Sequence, residues 1–88
     1  MSRVRRPSVE GVPHFYFHLY DDQDLLDEEG TDLPNAAAAR AHAIGEAREM
    51  ACDEVHHGHL NLDHRIEIED EQGGRTSVTF RDAIRLIG

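Results

Sequence analysis

The feature that most constrains this chain is the run from Asn35 to Gly58, the one long helical signal in the sequence and one with few large side chains. At about 100° per residue, Ala37, Ala41, Ala47, Ala51 and Val55 fall within about 60° of Ile44, with Cys52 at the margin. The opposite arc carries His42, Glu46, Glu49, Asp53, His56 and His57, residues that resist burial without partners. Asn35, directly after Leu33 and Pro34, suits an N-cap, because its amide oxygen accepts from free amides of the first turn. Gly58 is the matching stop, with Leu60 placed to fold back on the last turn. Gly45 lowers helix propensity by about 1 kcal/mol relative to alanine. Arg40 and Arg48 fall inside the apolar arc and must extend their charged heads past its edge. So many small side chains suit a helix that approaches a sheet closely.

The sheet is written on either side of that helix. His14 to Tyr20 alternates, with Phe15, Phe17 and Leu19 on one side and His14, Tyr16, His18 and Tyr20 on the other. Asp21 to Asp24 is an acidic turn, and Leu25 to Thr31 reads as a shorter strand in a hairpin with the first. Arg65 to Glu69 and Arg75 to Phe80 form a second hairpin across the Asp70 to Gly74 turn. The expected fold is therefore α+β in two layers: a four-stranded, mainly antiparallel sheet in β-β-α-β-β order with one long helix across one face. The expected inward set is Phe15, Phe17, Leu19, Leu26, Leu33, Ile44, Ala47, Ala51, Val55, Ile66, Ile68, Val78 and Phe80. For the C-terminal residues two readings stand: Asp82 caps a short helix with Phe80, Ile84 and Ile87 on one side, or the last strand continues.

Eighty-eight residues make one domain. Residues 1–13 hold two prolines and a glycine without apolar periodicity and read as a disordered leader, leaving 14–88 as the compact domain. Within the leader, Arg5-Arg6-Pro7-Ser8-Val9 fits a basophilic kinase pattern, one short enough to arise by chance. A single cysteine excludes an intramolecular disulfide. No apolar run approaches membrane-spanning length and no secretory signal is visible, which makes the cytoplasm the expected location. Nine arginines face eighteen acids, a formal net charge of −9, and residues 14–74 hold sixteen of the acids. Such a body repels a phosphate backbone, so direct nucleic-acid binding is not expected, whereas a basic protein partner is.

Phe17-His18, Asp27-Glu28-Glu29-Gly30, Leu33-Pro34, Ala39-Arg40-Ala41, Arg65-Ile66-Glu67-Ile68 and Phe80 with Asp82-Ala83 together resemble a family of short bacterial proteins known only as a domain of unknown function, common in alphaproteobacteria. The resemblance covers roughly residues 14 to 84. Members usually have an acid where Asn35 stands here and sometimes at Ala38. The resemblance implies a compact domain and brings with it no activity, cofactor or catalytic residue.

Chemistry is thinly signalled. Cys52 and His56 are one helical turn apart, with His57 and His59 following and His64 beyond, which is the basis for a metal-binding alternative. No second Cys or His pair completes a tetrahedral set. The acidic turn departs from a calcium loop, since Leu26 stands where a ligand is needed and Asp27 where the glycine turn belongs. Hydrolysis is a third possibility, resting on His18 beside Asp27 or Glu67; there is no nucleophile motif, and Ser77 and Cys52 lack an evident base. No catalytic residue, metal or cofactor is therefore assigned. The expectation is a cytoplasmic interaction or regulatory module, antitoxin-like in element order, that forms a homodimer. Its contact face is expected to be the sheet face opposite the helix, through Tyr16, His18, Tyr20, Glu67 and Glu69.

Overall fold

The structure, a computed structural model, describes residues 12–84. The leader expected over 1–13, with its kinase pattern, lies outside the described residues except for Val12 and Pro13, and so does Ile87. In chain order the elements are β1 (His14–Tyr20), β2 (Asp24–Leu25), β3 (Thr31–Asp32), α1 (Ala36–His56), β4 (Arg65–Asp70), β5 (Arg75–Thr79) and α2 (Phe80–Ala83). The sheet runs β2-β1-β4-β5, with β3 also on β1, and all pairings are antiparallel. This is the expected α+β architecture, with α1 on one face.

The expected second strand is broken. Leu25 to Thr31 is not one strand but two short pairings on β1, Leu19 with Leu25 and Phe15 with Thr31. Between them a side chain takes the place of backbone. The Phe17 N–H points to the same edge as those of Phe15 and Leu19, because successive residues of a strand aim their amides to opposite sides. It donates to Asp27 Oδ2 at 3.1 Å. Asp27 Oδ1 meanwhile accepts from Glu29 N–H and Gly30 N–H at 3.2 and 3.0 Å, an Asx-type turn that carries the chain on to β3. Gly30 has φ 73°, and a Cβ there would lie 2.5 Å from His14 Nε2 and 2.7 Å from Phe15 O. Only glycine fits. Leu26, expected inside, is 45 % exposed because this loop lifts it off the core.

Both ends of α1 follow their sequence signals. Asn35 Oδ1 accepts from Ala38 N–H at 2.8 Å. At the other end Gly58, at φ 90°, lets the amides of His57, Gly58 and His59 return to carbonyls of the last turn. The buried face differs from the expected one. Ala39, Ala43, Ala47 and Ala51 form the ridge against the sheet, Ile44 lies half-buried on its flank, Ala37 and Ala41 face outward, and Val55 is 57 % exposed. An i, i+4 row of methyl groups lets the backbone of α1 come close to the sheet, whereas seating Ile44 centrally would hold the two layers further apart. Arg40 and Arg48 consequently lie on the exposed side, where Arg48 Nε–H donates to Ala83 O at 2.7 Å and ties α1 to α2.

Facing the alanine ridge are Phe15, Phe17, Leu19, Ile66, Ile68, Val78, Phe80 and Ala83, with Leu33, Met50, Leu62 and Ile84 at the margin. The last strand does not continue past Thr79. Thr79, rather than Asp82, is the N-cap of α2: Asp82 N–H donates to Thr79 Oγ1 at 3.0 Å and Thr79 N–H to Asp82 Oδ2 at 3.3 Å.

Candidate functional site

The face of β1 turned away from α1 was expected to be wet at its polar tips. Tyr16 is instead 4 % exposed and His18 1 %, and His14 is buried as well. Each histidine is buried with a defined set of partners. His18 Nδ1 accepts from Asp27 N–H at 3.0 Å, so that nitrogen carries no proton, and Nε2–H donates to Glu69 Oε1 at 2.8 Å. These partners select one tautomer and hold the ring in one orientation. His14 faces two acceptors, the Asp32 carboxylate at Nδ1 and the Glu29 carbonyl at Nε2, the latter at 2.7 Å. Two acceptors facing the two ring nitrogens favour the imidazolium, which can donate to both.

Burial opposes the His14 charge. The hydrogen bonds to Asp32 and Glu29 and the fields of Asp32 and Glu71 outweigh it, and the pKa rises above the ordinary histidine value. A raised pKa means that the folded state holds a proton the unfolded chain releases. The stabilisation is full below the ordinary imidazole value and is lost as pH rises through the raised one. Denaturant titrations across pH 6 to 9 should show wild-type stability declining with pH over that window and a flatter profile for His14→Gln; parallel profiles would contradict the assignment.

The other residues of the expected contact face are engaged as well. Tyr20 is half-buried under the Arg65 guanidinium, 4.6 Å from its ring centre. Glu67 accepts from Arg75 Nη1 at 2.6 Å, and Arg75 Nη2 lies 3.5 Å from Glu69. The acid–base pairing considered for His18 takes a different form: its carboxylate partner is Glu69, Asp27 meets it through a backbone N–H, and Glu67 belongs to Arg75. The pair lies buried beneath the sheet surface.

Cys52, His56, His57 and His59 are all exposed. His57 Nδ1 is 2.8 Å from Asp53 O, and the His56 and His57 rings meet edge to face. His64 is drawn away from them to Glu54, 2.6 Å from its Oε2. Among the described residues no group of three or more His, Cys, Asp or Glu is arranged to hold a metal ion.

A concave surface lies elsewhere, between α1 and the Leu25–Thr31 loop. This groove, about 450 Å³, has Phe17, Leu19, Leu25, Leu26 and Met50 as its apolar lining and Asp27, Glu29, His42 and Glu46 among its polar groups. Leu25 is 58 % exposed there. His42 stacks obliquely on Phe17 at 4.5 Å and meets Glu46 Oε1 at 2.7 Å. Burial pushes the Glu46 carboxyl above the usual range; His42 pulls it back in part, and the fields of Asp27 and Glu49 push it further up. At Met50 the groove meets a second recess of about 340 Å³, whose other lining residues are Asp21, Glu49, Asp53 and Glu54. One end is apolar and the other acidic. No arginine is among the described residues lining either recess.

Sequence reasoning missed this groove because its walls come from three separated segments. The available signal was Leu25-Leu26, two leucines inside an acid-rich turn, together with the Asp27–Gly30 spacing of a side-chain-capped loop.

No helix among the described residues is long and apolar enough to cross a membrane. Neither a curated protein nor a solved structure matches the chain significantly. A family model does, over residues 14–81, a span that takes in all five strands and α1. The chain therefore belongs to the family described as Domain of unknown function (DUF6894).

Proposed function

We propose that this protein is a non-catalytic interaction module that receives a basic polypeptide segment in the groove between α1 and the Leu25–Thr31 loop. The observation that supports the reading is the junction at Met50 of an apolar recess with a recess lined by four carboxylates. Exposed leucines beside a depression supply the area that anchors a partner, and carboxylates next to it with no arginine among their described neighbours in the recess select cationic flanks. A segment pairing one or two bulky apolar side chains with arginine or lysine complements both. The antitoxin-like reading is a special case, in which the basic partner is a toxin. A cytoplasmic setting belongs to the same proposal, and a lone exposed cysteine without a disulfide accords with it.

Selection of displayed random peptides on the full chain should enrich sequences that set Arg or Lys beside Leu, Ile or Phe. A synthetic representative should lose about tenfold or more in affinity against a Leu25→Glu, Leu26→Glu double variant, and should weaken with added salt. Absence of such enrichment, or equal affinity for the variant, would overturn the proposal.

A further inference from the structure

The sheet ends on one side in β2 and β3, two residues each, and on the other in the longer β5. On the β1 side every amide aimed outward is answered: Phe15 and Leu19 pair with β3 and β2, and Phe17 is taken by Asp27. On the other side, among the described residues, no strand pairs with the outer edge of β5.

The direction of the β5 backbone groups follows from two flanking bonds. Asp70 N–H donates to Gly74 O at 2.9 Å and Phe80 N–H to His64 O at 2.8 Å. These set the alternation, so that Thr76 and Val78 exchange backbone bonds with Ile68 and Ile66, while the backbone groups of Arg75, Ser77 and Thr79 point away from β4. Thr79 N–H is occupied by the α2 capping box. Directly after β5 the described chain turns to the β4 side, where Phe80 and Arg81 N–H donate to the His64 and Leu62 carbonyls. The strand also lacks the usual protection, with no proline, no lysine and no charge at its centre.

We infer that the outer edge of β5 is a homodimer seam, at which two copies pair antiparallel about a twofold axis through Ser77. Ser77 then exchanges both backbone bonds with its own copy. Arg75 N–H meets the Thr79 carbonyl of the second copy, and this pairing occurs twice by symmetry. No like charges oppose one another across the seam: Arg75 faces Thr79, and Thr76 faces Val78. Arg75 is itself matched by Glu67 within its own chain. A second copy fits better than an unrelated strand for an electrostatic reason. The β5 sequence contains no acid, whereas β2 and the recess lined by Asp21, Glu49, Asp53 and Glu54 lie toward the opposite side of the sheet, so the twofold keeps those carboxylates of two strongly anionic chains apart.

Sedimentation of the full chain tests this. Wild type should be dimeric at micromolar to millimolar concentration. Ser77→Pro should be a folded monomer, since the N–H it removes points away from β4 and takes no part in the β4–β5 ladder. Ser77→Arg, which sets two cations against each other across the axis, should raise the dimer dissociation constant about tenfold or more. If the proline variant fails to fold, Ser77→Arg decides alone. A monomeric wild type, or a dimer that Ser77→Arg leaves unchanged, would overturn the inference. The Leu25→Glu, Leu26→Glu variant should keep the dimer intact, which separates this seam from the groove.

Discussion

Replacing Phe80 by alanine should lower stability by about 3 to 5 kcal/mol, the range for emptying a buried aromatic site that cannot collapse. Phe80 has no exposed surface and is the largest of the fully buried side chains. It sits where three parts of the fold converge. Its ring meets His64 edge to face at 5.6 Å, its N–H donates to the His64 carbonyl, and it is the first residue of α2, which Arg48 ties to α1. Because Thr79 and Asp82 hold the backbone there, the turn cannot slide inward to fill the space. Small domains are stable by only about 5 to 15 kcal/mol, so the variant should unfold at markedly lower denaturant. Phe80→Leu should recover more than half of the loss. A cost below about 1 kcal/mol for alanine would mean that α2 is not part of the cooperative core.

Asp27→Ala should cost about 2 to 4 kcal/mol, although the side chain lies near the surface. Hydrogen bonds to a charged group contribute roughly 1.5 to 3 kcal/mol each when sheltered, and less where water can substitute. Of the three amides Asp27 accepts from, that of Phe17 belongs to a buried strand residue and those of Glu29 and Gly30 lie in the loop. Asparagine should rescue less than half. It offers one carbonyl oxygen where both carboxylate oxygens are in use, and its NH2 would face an N–H. Amide exchange at Phe17 should accelerate in the alanine variant more than at Tyr16 or His18. Undiminished stability and slow exchange at Phe17 would show that water fills the rung equally well.

How much of this was legible in the sequence depended on whether the signal was local. β1, β4 and β5 announce themselves by alternation around Phe15-Phe17-Leu19, Ile66-Ile68 and Val78. Asn35 and Gly58 mark the helix ends because caps act on their own few neighbours. The helix phase was not legible from hydrophobicity, since Ile44 and Val55 outweigh any alanine on a transfer scale while the sheet selects for small size. Nor could alternation in β1 reveal that both of its faces are covered; it separates His14, Tyr16 and His18 from the phenylalanines and says nothing of what lies over them. The break at Asp27 was hidden for a different reason. A carboxylate standing in for a strand residue leaves Leu25 to Thr31 looking like continuous strand.

The placement of β1 has a consequence for how the protein is made. This strand contacts every other strand of the sheet except β5, yet its most extensive partner, β4, follows far along the chain: the His18–Glu69 contact closes a separation of 51 residues. On the ribosome, β1 emerges with only the two short pairings of β2 and β3 within reach, too little to bury Phe15, Phe17 and Leu19. The apolar strand must therefore wait for its main partner, and the sheet closes in a late, long-range step once β4 is available.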